Sequence, residues 1–198
     1  MTDASPATPV VAAAAASPSR PHFEIVLVEP EIPNNTGNIG RTAAATGCRL
    51  HVVHPLGFSM DEKARRRAGL DYWHLVDCRE HADWQAADEA VPGPGWLLTA
   101  GGGRPHWDVP FELGDRLIFG KESAGVGPAF QSAFEDRHGA DRVVSLPMAM
   151  VPGVRSLNLA TAVAIVVYEG LRRLRTQGRL DPRIGVRPGS EGGSAGIG

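Results

Sequence analysis

The sequence predicts an α/β domain built on a largely parallel sheet. Short apolar runs of β-type residues alternate with helical or glycine-rich stretches, as expected where crossover segments link parallel strands. At 198 residues, 42% of them hydrophobic and 21% charged, the chain has enough apolar side chain for one real core. Three of the strand-like runs end in polar or glycine-rich turns, and open α/β sheets place ligands at the carboxyl ends of strands.

The first strand is predicted over residues 23–29, where Phe23, Ile25, Val26, Leu27 and Val28 concentrate β-favouring side chains. A Pro/Asn turn follows, and 36–46 reads as a helix that Asn34, Asn35 or Thr36 could cap, with Gly37 allowing close approach of backbone to a substrate. Arg41, about one turn into that helix, would face whatever binds there. Residues 49–53 form the second strand and 65–69 belong to a short helix. Residues 96–99, 116–119 and 142–146 supply the remaining strands. The last helix, over 157–174, is apolar almost all round through Leu159, Val163, Ile165, Val166, Val167 and Leu171. It should be buried on more than one side, a dimer interface supplying the second.

The ends read differently. Residues 1–21 are Ala, Pro, Ser and Thr with almost no large apolar side chains, so they are expected to form a flexible tail. A signal peptide fits poorly: Asp3 stands where a basic segment is required, and the run 10–16 is short and alanine-dominated. Residues 178–198 read as a second tail, which leaves a single domain over 22–177. No apolar run is long enough to cross a bilayer. Cys48 and Cys78 lack metal-site spacing and point to a reducing, cytoplasmic compartment rather than a disulfide framework.

The net charge of -2 conceals two basic clusters, Lys63 with Arg65, Arg66 and Arg67, and Arg172 with Arg173, Arg175 and Arg179. Apart from Lys63 and Lys121 every basic residue is Arg, whose planar fork pairs with phosphate and stacks on bases. Charge alone leaves RNA-binding faces and plain solvated helix faces both open.

Three segments carry candidate chemistry: 29–41, 117–128 and 146–158. The second holds Gly120, Gly125 and Gly127 in neither a Walker A nor a dinucleotide-fingerprint spacing, and such a loop can offer backbone groups to a flat ligand. The third offers Ser156 or Asn158 as a helix cap. His51, His54 and His74 have no metal spacing with a partner, so nothing calls for a metal. Trp73, Trp84, Trp96 and Trp107 stand at unrelated spacings and read as partial core.

Taken in order, Ile32-Pro-Asn-Asn-Thr-Gly-Asn-Ile-Gly-Arg41, Phe119-Gly-Lys-Glu122 and Arg155-Ser-Leu-Asn158 resemble the three motifs of the SPOUT RNA 2'-O-methyltransferases. Arg66-Arg-Ala-Gly-Leu-Asp-Tyr72 and Val166-Val-Tyr-Glu169 resemble the TrmL (YibK-like) branch, which acts on the tRNA wobble nucleotide. The resemblance spans about residues 23–174. It implies a SPOUT fold with a C-terminal trefoil knot, a homodimer, and S-adenosyl-L-methionine held near Leu98, Gly120, Leu146 and Ser156. It also implies Arg41 as the catalytic arginine, Arg66 and Arg67 toward the tRNA anticodon stem-loop, and Arg155 and Tyr168 in dimer or tRNA contact. This sequence departs from the pattern by two extra residues, placed at Ala149-Met150, and by Ala160-Thr161 in place of Ser-Asn.

Methylation of rRNA or of another tRNA position is the alternative; enzymes of that kind commonly carry an added N-terminal RNA-binding domain, which a tail of about twenty residues cannot be. A silent RNA-binding dimer would tolerate damage to the glycine and asparagine loops, and a small-molecule nucleotide enzyme would need a phosphate loop.

Overall fold

A computed structural model describes residues 20–61, 71–149 and 151–186. Its strands are β1 Phe23–Val28, β2 Arg49–Val53, β3 Cys78–His81, β4 Gly95–Thr99, β5 Arg104–Pro105, β6 Asp115–Phe119 and β7 Val143–Ser145. Its α-helices are α1 Pro33–Thr46, α2 Trp84–Ala90, α3 Pro128–His138 and α4 Leu159–Thr176. The strands form one sheet in the order β3-β2-β1-β6-β4-β7-β5, and every pairing is parallel. β7, the last strand in sequence, is inserted between β4 and β5.

Both faces of the sheet are covered, which is why its central strands read as continuous apolar runs. Alternate residues of β1 point opposite ways. Phe23, Ile25 and Leu27 join Leu50, Val52, Leu117 and Phe119 beneath α1 and α4, with Ile39, Val163, Val167 and Leu171 filling the layer. Val26 and Val28 join Val53, Leu97 and Ile118 on the other face, against Ala87 of α2 and Phe134 of α3.

Several expectations are corrected. α1 begins at Pro33, with Ile32 at the cap position and no side-chain cap, so neither Asn34, Asn35 nor Thr36 caps it. Proline fits the first helical position because its missing N–H would be unpaired there anyway. The earlier start leaves Arg41 about two turns into the helix, not one. Within the single chain α4 leaves Thr161, Ile165, Tyr168 and Arg172 as an uncovered stripe, the side that the expected dimer interface concerns. Trp73 and Trp96 are core residues, whereas Trp107 is half exposed. The expected helix at 65–69 lies outside the described residues. Among the described residues no helix is long and apolar enough to cross a membrane.

α4 crosses β1 at a glycine. A Cβ on Gly170 would stand 2.5 Å from Cζ of Phe23, a fully buried ring. Overpacking costs ~1–3 kcal/mol, and the ~1 kcal/mol that alanine gains over glycine in a helix offsets only part of it. Gly170→Ala should therefore lower unfolding free energy by roughly 1–2 kcal/mol in urea titration; an unchanged midpoint would mean that the Phe23 ring gives way freely.

The second face turns polar toward the sheet edge. His51, nearly fully buried, bonds Glu24 through Nε2 at 2.8 Å and Nε2 of His81 through Nδ1 at 2.8 Å, while Arg49 bridges Glu24 and Asp77. Burial, then the charges of His51 and Arg79, push His81 below its ordinary value of 6.5. Between the two values the unfolded chain binds the proton that the folded chain rejects. Stability is therefore full above the ordinary value and is lost as pH falls through the lowered one. The urea midpoint should drop between about pH 7.5 and about pH 5.5, and drop less in His81→Gln; equal drops would remove His81 from the account.

Candidate active site

The loops leaving β1, β6, β4 and β7 meet at the carboxyl edge of the sheet, where the four strands are consecutive neighbours. They enclose a cleft of about 900 Å³. Leu98, Leu146, Met148, Leu157 and Leu159 give it apolar walls, and residues 99–101 and 119–127 complete its lining.

A chain of hydrogen bonds joins the loops. Glu122, after β6, accepts from the backbone N–H of Glu31 at 2.8 Å and of Ile32 at 3.3 Å, and from Nδ2 of Asn35 at 2.9 Å. The Asn35 side-chain oxygen accepts from Nδ2 of Asn158 at 2.9 Å. Asn158 caps α4, its oxygen accepting from Ala160 and Thr161. In the reverse direction Glu31 accepts from the backbone N–H and hydroxyl of Ser123, at 3.0 and 2.9 Å, which holds its carboxyl below the usual carboxylate range. Lys121 donates to Glu29 at 2.9 Å, and that carboxylate raises the lysine above its ordinary value.

The β6 loop folds back on itself at Gly120. Gly125 N–H donates to the Lys121 carbonyl at 2.8 Å, and a Cβ on Gly120 would stand 2.2 Å from the Gly125 carbonyl carbon. Only glycine permits that closure.

The structure brings Leu98, Gly120, Leu146, Ser156 and Arg155 to the cleft wall. Arg41 and Tyr168 do not line it; both are exposed on the outer faces of α1 and α4. Arg66 and Arg67 lie outside the described residues. Gly37 is buried within α1, and its carbonyl accepts from the Tyr72 hydroxyl at 2.8 Å, so it approaches Tyr72 rather than the cleft. Of the second basic cluster, Arg172 and Arg173 are tied to Glu169, and Arg179 pairs with Glu112. His54 pairs with Glu80, and His74 contacts the Asp71 carbonyl. Among the described residues no group of three or more His, Cys, Asp or Glu is placed to hold a metal ion. Sequence reasoning missed the roles of Glu31 and Glu122: both partners lie about 90 positions away, and only the β1–β6 pairing makes them neighbours.

Comparison with known proteins agrees with this geometry. The model of the SpoU rRNA Methylase family matches residues 22–168, and the chain belongs to that family. A tRNA (cytidine(34)-2'-O)-methyltransferase from Polaromonas sp. strain JS666 is 49% identical over 154 residues, 76% of this chain and 90% of that protein. A solved structure described as giving insight into the 2-OH methylation of C/U34 on tRNA is 40% identical, with a TM-score of 0.67, over 78% of this chain and 97% of the other. The SpoU methyltransferase AviRb from Streptomyces viridochromogenes, solved in complex with AdoMet, is 26% identical with a TM-score of 0.62, over 81% of this chain and 61% of the other.

Replacing Glu122 by Gln keeps the shape but sets an amide N–H against donors. An unsatisfied buried partner costs ~1–3 kcal/mol, and Asn158→Ala should lose ~1 kcal/mol as a cap. Because Asn35 links both groups, the double variant should lose less than the sum of the singles in urea unfolding; strict additivity would show that the relay is not a unit.

Proposed function

We propose that this chain transfers a methyl group from S-adenosyl-L-methionine to the ribose 2'-hydroxyl of the wobble nucleotide, position 34, of tRNA, either cytidine or modified uridine. The observation that carries this reading is 49% identity along 90% of a tRNA (cytidine(34)-2'-O)-methyltransferase, in a chain whose three loop segments meet at one cleft.

The cleft suits the cofactor. Its volume lies in the range of small-molecule sites, its walls are apolar, and a Cβ on Gly125 or Gly127 would meet nothing within 4 Å, so open space faces the backbone there. When bound, S-adenosyl-L-methionine supplies a methyl group on a positively charged sulfur. Leu98, Gly120, Leu146 and Ser156 are its contacts in this reading.

Transfer requires in-line approach of the ribose oxygen and loss of the hydroxyl proton. Arg41 is exposed on α1 outside the cleft wall, and in this reading it meets the RNA. It positions the nucleotide and stabilises the charge developing on the oxygen. A guanidinium stays protonated in proteins, so acting as the base would require help from a nearby phosphate. Arg66 and Arg67 hold the anticodon stem-loop, and Arg155 and Tyr168 stand where the dimer partner and the tRNA meet.

The domain in this reading is residues 22–177, with Arg179 and Leu180 just beyond that bound still tied to it through Glu112 and the core, and it carries a C-terminal trefoil knot; the insertion of β7 between two earlier strands supports that topology. Two copies form a homodimer: the α4 stripe leaves Ile165 and Tyr168 exposed, and an obligate interface would cover such side chains. The enzyme works in the cytoplasm, where its tRNA substrate is. An rRNA target is the second reading, favoured by the name of the matching family.

Purified protein incubated with labelled S-adenosyl-L-methionine and unmodified tRNA should yield a 2'-O-methyl group at the wobble position after nuclease digestion and mass mapping. Arg41→Lys should lower turnover on the order of 10²-fold, as losing a transition-state donor does. Methylation of rRNA alone would move the target, and near-full turnover of the variant with unchanged tRNA binding would remove Arg41 from the chemistry.

A further inference from the structure

The middle of α1 is clamped by two neighbouring aromatic residues. Trp73 is buried, and its ring fills the space left by Gly40: a Cβ there would stand 2.5 Å from Cζ3 of Trp73. Tyr72 precedes it and donates its hydroxyl to the Gly37 carbonyl at 2.8 Å. The Tyr72 ring is thus fixed at both ends, by its backbone through Trp73 and by its hydroxyl through α1. On that fixed surface lies Arg41, its guanidinium carbon 4.3 Å from the ring centroid.

A ring and a carboxylate hold a cation differently. A carboxylate would orient Arg41 but neutralise the charge it needs for a phosphate or a developing alkoxide. An aromatic face orients the guanidinium through its quadrupole and leaves both the charge and the N–H donors free. Among the described residues no carboxylate pairs with Arg41, although it is exposed and long enough to take many rotamers. We propose that Tyr72 is a positioning residue for methyl transfer, holding the Arg41 guanidinium in a narrow set of orientations above α1. This inference rests on the reading of Arg41 as the catalytic arginine.

The test compares Tyr72→Phe and Tyr72→Leu in the wild-type and Arg41→Lys backgrounds, using labelled S-adenosyl-L-methionine and unmodified tRNA. Tyr72→Leu should lower kcat on the order of fivefold, the scale of a lost exposed cation–π contact. KM for the cofactor and the melting temperature should hold nearly steady, and Tyr72→Phe should recover most of the rate. In the Arg41→Lys background Tyr72→Leu should cost clearly less. Arg41 side-chain protons, shifted upfield in the NMR spectrum by the ring, should return to unshifted positions in Tyr72→Leu.

Equal losses in both backgrounds, or a rate unchanged by Tyr72→Leu, would overturn the proposal. A ring-shifted Arg41 in a protein whose Arg41→Lys variant is fully active would instead sink the catalytic reading of Arg41, and this proposal with it. That outcome is told apart by the NMR shift, which needs no activity.

Discussion

The parallel pairing of β1 with β6 is the constraint on which the site depends. Its register sets Leu27 beside Phe119, so the two chains leave the sheet side by side and the loops at 29–32 and 120–123 begin as neighbours. The loops then exchange carboxylates, Glu122 accepting from the first loop's backbone and Glu31 from Ser123. Neither loop could satisfy these groups alone, and a polar network left half satisfied in a partly buried place is worse than none. Correct strand pairing and correct loop geometry are thereby made one event.

From that junction the order spreads through Asn35 to Asn158 and so to the start of α4. Asn158 serves both as cap and as relay, which fixes where the helix begins and therefore where the loop at 146–158 must end. α1 divides its duties by face. Asn35, Thr36, Ile39 and Ala43 turn inward to the relay and the core, while Asn34, Asn38 and Arg41 stay exposed. One helix thus anchors the cleft through its inner face and leaves Arg41 exposed on its outer one.

How much was legible in the sequence follows from where each signal lives. The central strands β1, β2, β4 and β6 were readable because burial on both faces forces continuous apolar runs. β3, reading Cys-Arg-Glu-His at a sheet edge, carries no such run, since two of its four residues are exposed. α3 escaped for a related reason: Phe134 is its one buried residue, too little to set a helical period. The cleft residues Leu98, Gly120, Leu146 and Ser156 were reachable only through resemblance. Their convergence depends on a strand order, β1-β6-β4-β7, that local pattern does not encode. The cap of α1 was misread because three good capping residues follow a proline that had already started the helix.

Three carboxylates, Glu29, Glu31 and Glu122, crowd the rim of a cleft read here as a site for RNA, a polyanion. Left free they would repel phosphate. Each is instead engaged from within: Glu29 by Lys121, Glu31 by Ser123, and Glu122 by two backbone N–H groups and Asn35, near the positive end of α1. Their charge is spent on holding loops together at short range, and salt in solution damps what remains beyond about 10 Å. Arg41 has the opposite arrangement, a cation resting on a neutral ring. The negative charges of the rim are thus consumed by structure, while the positive charge on the outer face of α1 stays available to a ligand. A net charge of -2 thus says little about the local field beside this cleft, where, among the described residues, the carboxylates are paired and Arg41 is not.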